Sequence, residues 1–102
     1  MYPMPTREAL QQATGKTFQL WIDAAQTIDV ELLEVIDGIA MSPGYQCFSA
    51  HFALPSGLRA EQAVFRVSPP GDEGWLLLMS PGQPDEHGRQ VLQAVFHMEN
   101  PA

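Results

Sequence analysis

The run Tyr45-Gln46-Cys47-Phe48-Ser49-Ala50-His51-Phe52-Ala53-Leu54 decides the fold. Phe48, Ala50, Phe52 and Leu54 recur at every second position, with Cys47, Ser49 and His51 between them. A period of two places the apolar set on one face of an extended strand, whereas on a helix it would spread around the axis. Pro55-Ser56-Gly57 then ends the run with turn-forming residues.

The same alternation extends outward in both directions. Toward the N-terminus, residues 16–23 carry Phe18, Leu20 and Ile22 on one side with Trp21 on the other, and residues 28–36 begin with Ile28, Val30 and Leu32. The second pattern breaks at Leu32-Leu33, where Glu34 takes an apolar place; one inserted residue, a β-bulge, restores it. Toward the C-terminus, residues 62–68 place Ala63, Phe65 and Val67 inward before Pro69-Pro70 stops the strand. Residues 74–80 contain Trp75-Leu76-Leu77-Leu78-Met79, apolar on both faces, which predicts a central strand covered on both sides. Residues 89–98 close the series with Leu92, Ala94, Phe96 and Met98 on one face.

Before the first strand, residues 6–14 read as a short helix with Thr6 as N-cap and Glu8 in the first turn. Ala9, Leu10 and Ala13 give it one narrow apolar face, and two turns are unstable alone, so the helix is expected to cap one end of the strands. No helix-length pattern separates the strands, which excludes βαβ crossovers. The expected fold is therefore a single all-β domain over residues 1–102, a small antiparallel barrel or sandwich of about six strands with one short N-terminal helix.

Composition narrows the function. The 102 residues carry 5 Lys+Arg against 12 Asp+Glu, a formal net charge of −7, so nucleic-acid backbone binding is not expected. No stretch approaches the roughly 18–20 apolar residues of a membrane helix, so no membrane partner is expected either. Met1-Tyr2-Pro3-Met4-Pro5 has no basic or apolar region of a secretory signal, and a cytoplasmic location is the expectation. The single cysteine and three histidines cannot make a structural zinc site by themselves.

Several groups invite chemistry. Cys47 and His51 lie four apart on a strand, roughly 13 Å between Cα atoms, too far for a thiolate–imidazole pair. Ser49 and His51 share a face at roughly 7 Å, but a hydroxyl nucleophile also needs an orienting acid and an oxyanion hole, and no G-x-S-x-G elbow is present. Asp85-Glu86-His87-Gly88 offers carboxylate and imidazole ligands in one loop without a visible third ligand, and reads as a turn. Asp29, Glu31, Glu34 and Asp37 form an acidic run that reads as a solvated face. No catalytic residue, metal ligand or cofactor is expected.

The order of the strands resembles a family of small bacterial domains of unknown function, each about this length. The similarity rests on Gly15-Lys16-Thr17-Phe18-Gln19-Leu20, on Phe48-Ser49-Ala50-His51-Phe52 followed by Pro55 and Gly57, on Gln62-Ala63-Val64-Phe65 running to Pro69, on the leucine-rich Leu76-Leu77-Leu78 ahead of Gly82, and on the closing Ala94-Val95-Phe96. It departs at Leu92, where the family pattern has tyrosine, and at His97, where asparagine is frequent. The resemblance implies an accessory or assembly role beside proteins resembling phage tail-collar proteins, and it implies no catalytic residues.

Apolar residues exceed what one interior needs. Trp21, Val35, Val64, Val91 and Val95 fall on the opposite faces of the strands, and one short helix cannot cover them. They are expected to form an interface with a protein partner or a second copy, Trp21 serving as anchor because aromatic side chains dominate interface hot spots. The resulting expectation is a non-catalytic interaction or assembly accessory domain. The rivals are a small-molecule-binding β-barrel and an enzyme using Cys47 or the Asp85–His87 loop.

Overall fold

The computed structural model describes residues 6–38, 43–69 and 74–99. A short helix α1 (Arg7–Gln12) leads six strands, β1 (Thr17–Trp21), β2 (Thr27–Asp37), β3 (Tyr45–Ala53), β4 (Ala63–Ser68), β5 (Trp75–Pro81) and β6 (Val91–Glu99). All neighbours are antiparallel and the order β1-β2-β3-β6-β5-β4 closes on itself as a barrel. The expected stop at 69–72 and the loop before Pro43 lie largely outside the described residues.

Closure removes both sheet edges, which otherwise invite pairing with other chains. The inward set is the one the alternation predicts. Phe18, Leu20, Val30, Leu32, Phe48, Ala50, Phe52, Val67, Leu77, Met79, Leu92, Ala94 and Phe96 form one buried cluster. Phe18 meets Phe52 edge-on at 5.6 Å between ring centroids, and Phe48 stacks on Phe96 at 4.8 Å, geometries that favour aromatic pairs. Side chains therefore fill the interior. Thr6 caps the helix by accepting the Ala9 N–H, and Leu10 drives fully into the core, so α1 closes one end of the barrel. Its exit is tied to β2 by the Gly15 N–H donating to the Leu32 carbonyl at 2.7 Å.

The β2–β3 register shifts between Leu32 and Glu34, the bulge predicted from the broken alternation. Before it Leu32 pairs with Phe52; after it Val35 pairs with Ala50, so Leu32 and Val35 both face inward although three positions separate them. Val35 thus packs partly buried against the core rather than on the outer face assigned to it from sequence. Ile22 is the converse case. β1 ends at Trp21, and Ile22 turns outward into the β1–β2 connection, where its N–H donates to the Gln26 carbonyl.

The crossing from β3 to β4 spans the open end of the barrel. Gln90 clips it in place: its Oε1 accepts the Ala60 N–H at 2.6 Å and its Nε2 donates to the Ala60 carbonyl at 3.0 Å, the two bonds a neighbouring strand would have made. The Leu54 N–H completes the clip on the Gln90 carbonyl.

Candidate functional site

Strands β4, β5 and β6 are adjacent in the barrel, and four of their outward side chains are bare and apolar. Val64 is 62% exposed, Leu76 48%, Leu78 57% and Val95 66%. Val64 and Leu78 are register partners. Leu76 lies two residues along β5 on the same face, opposite Arg66, and Val95 lies one step beyond the Met79–Ala94 pair, beside Leu78. The four side chains make one patch. This corrects the expectation that β5 is covered on both sides: its inward Leu77 and Met79 are buried, but nothing among the described residues lies over Leu76 and Leu78.

The residues expected to line an interface separate into three groups. Val64 and Val95 stand in the patch. Val35 and Val91 do not, Val35 because the bulge turns it inward and Val91 because it is only 4% exposed, lining the cleft beside loop 82–90. Trp21 borders the patch but is engaged in its own barrel. Its Nε1–H donates to Ser68 Oγ at 3.0 Å, and the Arg66 guanidinium lies 4.2 Å over the ring. Ser68 is fully buried, and this indole bond satisfies its hydroxyl. Leu76 and Leu78 were missed because a run of leucines on both faces reads the same whether its second face is covered or bare.

A second feature is a cleft of about 790 Å³ between β2, β3 and the β5–β6 loop, lined by Glu31, Leu33, Glu34, His51, Arg89 and Val91 among others. Here the bulge brings Glu34 opposite His51, and Glu34 Oε1 lies 3.6 Å from His51 Nδ1. His51 Nε2 lies 3.2 Å from Ser49 Oγ. The acid that the sequence did not show beside Ser49 and His51 is thus present. An oxyanion site is not built with it, because Ser49 sits mid-ladder between Ile36 and Val95 and strand-interior N–H groups serve the ladders rather than a ligand. Cys47 faces outward from β3 opposite His97, four residues along the strand from His51.

The Asp85–His87 loop is a clamp. Asp85 Oδ1 accepts the N–H groups of His87 and Arg89, and Oδ2 accepts Arg89 Nε at 2.7 Å. Arg89 also reaches Glu31 on β2 at 3.1 Å, tying the loop to the barrel wall. Burial pushes the Asp85 carboxyl up, but the hydrogen bonds from Arg89 and His87 and the Arg89 charge outweigh it and hold its pKa below the ordinary value. The same contacts, the Asp85 bond foremost, raise Arg89. With both Asp85 oxygens committed, the loop supplies a turn and a strut to β2.

The acidic residues are placed unevenly. Asp29, Glu31, Glu34 and Asp37 all belong to β2, which stands diametrically opposite β5 in the six-strand ring. The described outward side chains of β4, β5 and β6 include no carboxylate.

No helix among the described residues is long and apolar enough to cross a membrane. No curated protein and no solved structure matches the chain. A family model described as a domain of unknown function, DUF6916, matches residues 5–96, which span α1 and the barrel through Phe96. The six strands and the helix that closes them are thus the matched unit, and the chain belongs to the DUF6916 family.

Proposed function

We propose that this protein is a non-catalytic interaction module that docks another protein chain on the outer face of β4, β5 and β6. The observation that carries this reading is the patch of Val64, Leu76, Leu78 and Val95, all about half exposed or more and contiguous across three strands. Their exposed area is roughly 400 Å², the size at which a surface patch is commonly functional. Single exposed apolar residues are ordinary; four on the same face of three neighbouring strands are not. A filled barrel interior weighs against a small-molecule carrier, and the lack of an oxyanion site beside Ser49 weighs against acyl transfer. The resemblance to bacterial domains that accompany phage tail-collar-like proteins supports an assembly setting, and a cytoplasmic location fits that role.

In-cell photo-crosslinking tests it. Leu78→p-benzoylphenylalanine should yield one adduct whose second chain mass spectrometry identifies, and adding Val64→Lys should abolish it. The same photo-residue replacing Asp29, on the opposite strand, should give none. Absence of an adduct from position 78, or identical adducts from both positions, would refute the reading.

A further inference from the structure

We infer that the occupant of the β4–β5–β6 face is a second copy of this chain, related by a two-fold axis through β5. This rests on the docking face proposed above and names its partner. The net charge of −7 argues at first against self-association. The distribution of that charge removes the objection. Asp29, Glu31, Glu34 and Asp37 stand on β2, directly across the barrel from β5, with Glu31 paired to Arg89 and Asp37 to Arg7, while the face itself presents Val64, Leu76, Leu78 and Val95 with Arg66, Ser80 and Gln93 at its rim.

The shortest dimension of the molecule is 23 Å. Two copies meeting through β5 therefore place both barrels between their β2 carboxylates, a separation beyond the Debye length of roughly 8 Å at physiological salt. An arrangement that brings β2 toward a second copy juxtaposes Asp29 and Glu34 with their images, so the charge pattern disfavours that face and leaves the β4–β5–β6 face open to self-association.

Size and symmetry agree. A two-fold contact is self-complementary, each patch meeting its own image, and it is the commonest way for identical chains to associate. Two patches of roughly 400 Å² contribute about 800 Å² of apolar area. That places the contact below about 1,200 Å², among the weak, transient interfaces. A contact of that size gives a reversible dimer rather than an obligate one.

Sedimentation equilibrium over 1 µM to 1 mM tests the inference. The expected result is a monomer–dimer equilibrium within that range. Leu78→Lys should weaken it at least 100-fold and Asp29→Asn by less than twofold, and raising salt from 0.05 to 0.5 M should change it by less than about threefold, since no ion pair crosses the contact. Hydrogen exchange at the β3–β6 ladder confirms that each variant is folded. A strict monomer at 1 mM, or a dimer that folded Leu78→Lys leaves intact, would overturn the second-copy assignment. If crosslinking from position 78 still captured a different chain, the docking face would stand with another occupant; if it captured nothing, both readings would fall.

Discussion

Replacing Gly74 with alanine should destabilise the barrel more than any other glycine substitution at a turn of the described chain. Gly74 has φ +79°, a conformation that strains an L side chain by roughly 1–2 kcal/mol. It also lies against β4: an added Cβ would fall 2.1 Å from the Val67 carbonyl oxygen and 2.5 and 2.6 Å from Ser68 Cβ and Cα. Ordinary contact begins near 3.4 Å, so β5 must retreat from β4 by about 1 Å where the Val67–Trp75 pairing begins. That retreat loosens Trp75 from Phe18, whose rings lie 5.9 Å apart, and uncovers Ser68. Forced repacking of this kind costs about 1–3 kcal/mol, which with the backbone strain gives about 2–5 kcal/mol in all. A domain of this size has only about 5–15 kcal/mol of stability. Gly57 is the matched control, with φ +84° and nothing within 4 Å of an added Cβ, so Gly57→Ala should show the strain alone. Urea unfolding followed by tryptophan fluorescence should separate the two midpoints by about 1 M, the repacking cost of about 2 kcal/mol divided by a slope of about 2 kcal/mol per M. Variants within about 0.5 kcal/mol of each other would refute the steric reasoning and show that β5 yields there freely.

Two further outcomes follow from individual contacts. The Trp21–Ser68 bond should give a double-mutant coupling of about 0.5–1.5 kcal/mol for Trp21→Phe with Ser68→Ala, because Trp21→Phe alone strands a fully buried hydroxyl; urea melts of the four proteins measure it, and a coupling near zero would show that the bond adds nothing. The Asp85 carboxyl should titrate below its ordinary 3.8 in carbon-detected NMR; since its folded pKa is depressed, the clamp's stabilisation is complete above 3.8 and is lost as pH falls through the folded value, a loss that Asp85→Asn should not show, and a midpoint at or above 3.8 would contradict the clamp.

What the sequence determined by itself is whatever depends on neighbours along the chain. A period of two in residues 45–54 and in every other strand but β5, the unbroken apolar run of β5, the cap at Thr6 and the turn residues between runs reproduce all six strands and the helix to within a few residues, because burial on one side of a strand imposes the alternation directly. The bulge at Leu32–Glu34 is legible for the same reason, since a single inserted residue breaks a period of two visibly. What only the tertiary structure decided is what each outward face meets. Closure into a barrel rather than a sandwich depends on β4 returning to β1 through Gln19, Leu20 and Trp21, a pairing of residues more than forty positions apart. The fate of the second faces follows from that closure. Val91 is buried beside loop 82–90, Trp21 finds Ser68 and Arg66, and Glu34 is carried to His51, while Leu76 and Leu78 stay bare although they read like core. Alternation records only that a side chain prefers to leave water. Which surface receives it is set by strand order, and that is why the candidate docking face emerged on β5, the strand whose sequence looks most completely buried.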